Sequence, residues 1–263
     1  MKTAAISLLL MTGFVFGLDA AEDAAAASAA KEGVQLLNDL AAANKEKDST
    51  VIGALLTKIT QLGKIAKDDK ILDPLAKELT VSYKACKGNW GTLRGILDTL
   101  GVLRSSKSET MLKKLAFMKD AKNDDFVSIQ VHALHALSGY GKKKYIDGFV
   151  DQTKNRETKI AIAAYEALQQ YGISSGKIRK DVAGELMKRI EGEYPYATGS
   201  NSKTPGAAAK KRWEDVQKPI IAALQSVCRE TTIADIDNWR EWWKEYKKDA
   251  KIWRDPKKKK KKP

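Results

Sequence analysis

The chain has 263 residues, enough for one elongated domain or two small ones. Hydrophobic residues make up 43% and charged residues 30%, an ordinary soluble mixture with no apolar stretch beyond the first twenty residues able to cross a bilayer. Net charge is +14; six of these charges are Lys257 to Lys262, so the remainder still carries +8 and favours acidic partners.

Residues 1–20 read as an export signal: Lys2 supplies the positive start, Ala4 to Phe16 is uncharged and apolar, and small residues follow. The run is too short to span a membrane, and no cysteine follows it to carry a lipid. Residues 21–47 form an Ala-rich arm and a short capping helix with Val34, Leu36, Leu37 and Leu40 on its apolar face. Asp48, Ser49 or Thr50 then caps the first of a series of helical hairpins occupying residues 48–192.

In the first hairpin, Val51, Ile52, Leu55, Leu56, Ile59 and Leu62 line one helix that closes at Gly63, and Asp73-Pro74 opens the second. In the next, Leu93, Ile96, Leu97, Leu100 and Leu103 line one helix, and Met111, Leu112, Leu115 and Phe117 the other. Ser106 to Glu109 has the form of a capping box between them. The third and fourth hairpins carry an internal repeat. Residues 129–141 lie over residues 160–172 at an offset of 31, matching Ile129 with Ile160, Ala133 with Ala164, Ala136 with Ala167, Leu137 with Leu168, Tyr140 with Tyr171 and Gly141 with Gly172. On the first copy, Ala133, Ala136, Leu137 and Tyr140 share one face while Val131 and Leu134 lie opposite. A helix apolar on two sides belongs between neighbours, and its alanines permit close approach. Gly141 and Gly172 stand where a left-handed stop costs least.

Residues 193–204, with Pro195, Gly199 and Ser200, read as a flexible loop. Residues 205–256 hold two more helices, one striped by Trp213, Val216, Ile220, Ile221, Leu224 and Val227. The other carries Trp239, Trp242, Trp243 and Tyr246 at i, i+3, i+4 and i+7, an aromatic cap for the open end of a core or a platform for sugar or peptide. Residues 257–263 are expected to be a disordered lysine tail.

The repeated unit resembles HEAT-type repeats of the armadillo-like superfamily, and the Trp239-x-x-Trp242-Trp243 segment resembles the ending of certain exported bacterial HEAT-repeat proteins. The resemblance implies an all-α, right-handed solenoid of about four helical hairpins with helical caps, used as a binding scaffold and not tied to any reaction.

Candidate chemistry is sparse. His132 and His135, the only histidines, share a helix but lack the third and fourth ligands a metal needs, so neither metal nor cofactor is expected. Cys86 and Cys228 sit at apolar positions and are expected to be free, buried thiols. No nucleophile-elbow serine, glycine-rich phosphate loop or HExxH motif occurs, so no catalytic residue is assigned. Charge says more. The turns within successive hairpins carry Arg104 and Lys107, then Lys142, Lys143 and Lys144, then Lys177, Arg179 and Lys180, which in a stack of hairpins form one basic edge. The expectation is an exported, periplasmic or extracellular, non-catalytic scaffold for a protein partner. The rivals are a binder of acidic polysaccharide, anionic membrane or nucleic acid, and an enzyme of unknown class; export argues against genomic DNA.

Overall fold

The computed structural model describes residues 4–255 except 67, 120, 122 and 199–205, and for residues 4–23, 196 and 197 it describes the backbone alone. Among the described residues the regular structure is entirely helical, as expected, and no helix is long and apolar enough to cross a membrane. The chain divides into two compact units, Met1–Glu109 and Thr110–Pro263.

The first unit contains α1 (Ala4–Glu46), α2 (Ser49–Ile65), α3 (Asp69–Ala85), α4 (Trp90–Leu103) and the start of α5 (Ser106–Ala116). α1 packs on α2 and α3, α2 on α4, and α3 on α4. The arm and capping helix expected from the sequence are one helix, because an alanine-rich stretch contains nothing to stop it. Leu36, Leu40 and Ala43 form its buried stripe, whereas Val34 lies on the far side and is 61% exposed. Asp48 caps α2, its carboxylate accepting from the backbone N–H groups of Thr50 and Val51 at 2.9 and 3.0 Å.

Three boundaries differ from expectation. α2 runs past Gly63, where a Cβ would stand 2.6 Å from Leu103 Cδ2; this glycine allows α2 and α4 to close on each other and does not end the helix. α3 starts at Asp69, capped by Asp68, so Asp73-Pro74 lies inside the helix. Asp73 instead accepts a hydrogen bond from the Ser105 hydroxyl, and Ser105, not Ser106, caps α5 by accepting from the Lys107 N–H at 3.1 Å.

The second unit holds α6 (Asp124–Ser138), a 3-10 turn at Lys143–Tyr145, α7 (Ile146–Gln152), α8 (Thr158–Gln169), a second 3-10 turn at Gln170–Ile173, α9 (Gly176–Thr198), α10 (Ala207–Cys228) and α11 (Ile236–Tyr246). α6 packs on α8 and α8 on α10; α7 packs on α8 and α9, and α9 on α10 and α11. Four of the matched pairs occupy equivalent places, whereas Tyr140 is half-buried and Tyr171 fully buried. Ile129, Ala133, Ala136 and Leu137 on α6, and Ile160, Ala164, Ala167 and Leu168 on α8, are all buried. Each such leucine or isoleucine stabilises the fold by roughly 1.5–3 kcal/mol. Position 135 of one copy touches position 166 of the next, His135 Nε2 to Glu166 Oε2 at 2.8 Å, a contact that follows from the register of the buried residues. Gln130, fully buried on α6, donates to the Ala116 and Met118 carbonyls at 3.1 and 2.9 Å and so satisfies the end of α5.

Tyr194 and Pro195 are helical, since α9 continues to Thr198; of the expected loop only residues 199–204 lie outside the described residues. The lysine tail lies outside them too. α10 buries Trp213, Val216, Ile220, Leu224 and Val227 as its periodicity indicates, and leaves Ile221 half-buried.

The two matched glycines serve different purposes. Gly141 has φ +59° with nothing near its missing Cβ, the left-handed stop expected of it. Gly172 is not left-handed; a Cβ there would approach the Ser226 carbonyl oxygen to 2.8 Å, so its role is close approach to α10. Gly141→Ala should therefore cost about 1–2 kcal/mol of backbone strain alone. Gly172→Ala carries no such strain but must push α10 away, and should lower the melting temperature further. Thermal melts of both variants check this, and an equal or smaller loss for Gly172→Ala would contradict the close contact between Gly172 and α10.

Candidate functional site

The basic turn residues of the second unit are placed by the stacking of the two copies. α6 ends at Ser138, and beyond the left-handed Gly141 the exposed Lys142, Lys143 and Lys144 follow in the turn before α7. The turn is held from the next copy: the hydroxyl of buried Tyr171 donates to the Lys142 carbonyl at 2.8 Å. Lys142 and Lys144 lie over the rings of Tyr140 and Tyr145, at 5.5 and 5.0 Å. Lys143 reaches across to α9, 3.5 Å from Asp181. On α9, Lys177 and Lys180 are exposed one turn apart.

Lys143 and Lys180 line one groove of about 510 Å³, but the groove is not purely basic. Asp147, Asp181 and Glu185 also line it, with Lys188 paired to Glu185 at 2.6 Å and the half-buried Trp243 forming part of its wall. The expectation of a basic edge missed these acids. The signal was present: Lys177, Lys180, Asp181, Gly184, Glu185 and Lys188 follow a helical i, i+3, i+4 rhythm on one face.

Arg179 is a correction. It is fully buried and cannot belong to an exposed edge. Its guanidinium donates to the carbonyls of Val227 at 3.0 Å, Ile252 at 3.3 Å and Arg254 at 3.4 Å. Burial pushes its pKa down, the charge of Arg229 acts the same way, and Asp255 opposes both. In the first unit Arg104, left-handed at φ 51°, ends α4, and both it and Lys107 are exposed.

The aromatic helix is only partly a core element. Trp239 is fully buried, while Trp242, Trp243 and Tyr246 are half-buried. Trp239 meets Trp242 edge-on at 5.3 Å, and Trp242 leans on Tyr246 at 5.4 Å. Trp243 meets Trp253 edge-on at 6.2 Å. Trp242 and Tyr246 also line a second cavity of about 600 Å³ with Cys228, Arg229 and Thr232.

His135 spends its Nε2 on Glu166, and among the described residues no three His, Cys, Asp or Glu side chains gather as a metal would require. No protein-family model, curated protein or solved structure matches the chain.

Two solution tests follow from these environments. Cys86 and Cys228 are buried free thiols, and burial pushes the Cys228 thiol up to about 12. Alkylation at pH 8 without reductant should leave both unlabelled in the native protein and label both after unfolding; a pair unlabelled even after unfolding would mean a disulfide. Burial also raises the Tyr171 phenol. The folded state then holds that proton more tightly, so its stabilising contribution is complete below about pH 10 and is lost as pH rises beyond. Denaturant midpoints measured across pH 9 to 12 should fall more steeply for the parent than for Tyr171→Phe.

Proposed function

We propose that the chain is an exported, non-catalytic scaffold built of stacked HEAT-like hairpins, which binds a protein partner. The observation that carries this reading is the register of the two copies: positions 31 residues apart meet at His135 and Glu166, so equivalent residues line up along a continuous face. Alternation of neighbours supports it, since α6, α8 and α10 pack in sequence while α7, α9 and α11 pack beside them, the order expected of hairpins laid side by side. The same alternation, α2 on α4 and α1 on α3, recurs in the first unit. The apolar run after Lys2 supports export.

A protein fits the groove beside α9 better than a uniform polyanion does. Lys143, Lys180 and Lys188 face Asp147, Asp181 and Glu185 around Trp243, a surface with donors, acceptors and one aromatic wall. A polyanion would be repelled by the three carboxylates. The polyanion reading keeps one favourable observation, the exposed lysines at 142, 143, 144, 177 and 180 together with the run Lys257 to Lys262.

The two readings separate experimentally. A photo-crosslinking residue at position 143 or 180 is expected to trap a discrete protein adduct from the native envelope fraction, and the adduct should persist at molar salt, where the screening length is about 3 Å. The polyanion reading expects no such adduct. It expects instead heparin or anionic-vesicle binding that collapses with salt and is lost when the five exposed lysines are changed to Gln. That second pattern would overturn the scaffold reading.

A further inference from the structure

Beyond α11 the chain turns back, and Ile252 to Asp255 lies across the start of α9. The fit is close. The Trp253 carbonyl oxygen occupies the place where a Gly176 Cβ would be, 1.5 Å from it. The Asp255 carboxylate accepts the Gly176 N–H at 2.7 Å. Arg179 takes the carbonyls of Ile252 and Arg254 and stands over the Trp253 ring at 5.8 Å, while that ring meets Trp243. These contacts recognise backbone, one indole and one carboxylate. Arg254, between them, is exposed.

The receiving groups all belong to helices outside the strap. Gly176 and Arg179 are carried by α9, and Trp243 by α11. Arg179 is held from the other side by the Val227 carbonyl at 3.0 Å. A buried guanidinium aimed at backbone carbonyls, beside a helix N-terminal N–H that has no partner within its own helix, suits a peptide segment ending in an acid. The Arg179 Nε is buried without a partner, so the donor set is not exhausted by the present occupant.

We propose that the start of α9, Arg179 and Trp243 form a peptide-binding site that Ile252 to Asp255 fills in cis, and that a partner protein fills with a tryptophan followed two residues on by a carboxylate. This rests on the protein-binding function proposed for the chain and names the segment by which the partner is held. The strap is the internal competitor: partner affinity is reduced by the fraction of time the strap is docked.

The test uses the full-length chain and a fluorescent peptide of residues 249–255. Trp253→Ala with Asp255→Asn weakens the strap and leaves every receiving residue intact. This variant is expected to bind the peptide at least tenfold more tightly than the parent. Peptides carrying the same two changes should lose at least tenfold, and Gly176→Ala added to the variant should abolish binding, because its methyl occupies the place of the tryptophan carbonyl. If the weakened variant is unfolded, the peptide should restore a cooperative melt, as a ligand of the folded state does. A folded variant with no affinity for the peptide, or an unfolded one the peptide does not rescue, would make the strap a fixed part of the core and overturn the proposal. Peptide binding without any cross-linked partner at positions 143 or 180 would leave this site standing and remove the scaffold reading; a partner adduct without peptide binding would do the reverse.

Discussion

Close approach between neighbouring helices is the constraint on which the second unit depends. α8 is buried on the side facing α6 and on the side facing α10, and only small side chains let both neighbours come near enough. Ala161, Ala163, Ala164 and Ala167 supply this on α8, and Gly172 supplies it where the following 3-10 turn meets Ser226. Helices separated by small residues interlock tightly, and a slip in register would drive leucines into backbone. Register then propagates outward. Once Leu137 and Leu168 are fixed, His135 falls beside Glu166 and the Tyr171 hydroxyl reaches the Lys142 carbonyl. The turn that carries three lysines is thus held by a buried residue of the next copy.

The same packing decides what the charges do. A run of lysines after helix ends reads as a basic ridge, but α9 places Asp181 and Glu185 on the face that carries Lys180 and Lys188, and α7 adds Asp147. The result is a groove of mixed sign, in which specificity comes from the pattern of charges and not from their sum. Arg179 sits between Lys177 and Lys180 in sequence yet shares nothing with them. Its planar fork of donors reaches three backbone carbonyls at once, a task the single ammonium of a lysine performs poorly.

The C-terminal aromatics divide by the same logic. Trp239 fills the end of the core, while Trp243 and Trp253 form an interface between α11, α9 and the returning strap. A fixed helix period brings four aromatics to one face. It does not say that a tryptophan seven residues beyond the helix will fold back to meet them.

Sequence alone determined that the chain is helical, where most of the apolar stripes lie, and the 31-residue repeat. Periodicity is a local property: residues three and four apart share a face whatever lies opposite, so Leu137, Leu168 and Trp213 could be placed in the core from spacing. A cap within Asp48 to Thr50 and a left-handed turn at Gly141 were equally legible, because each acts on its own backbone, although only the structure chose Asp48. Tertiary structure alone decided the rest, since it turned on which surfaces meet. Gly63 and Gly172 look like helix stops and are points of close approach. Asp73 looks like a cap and receives a distant serine. Arg179 looks exposed and is buried under a strap 73 residues away in the chain. In each case the residue's partner lies far along the sequence, and no local pattern carries the identity of a neighbour that only folding brings near.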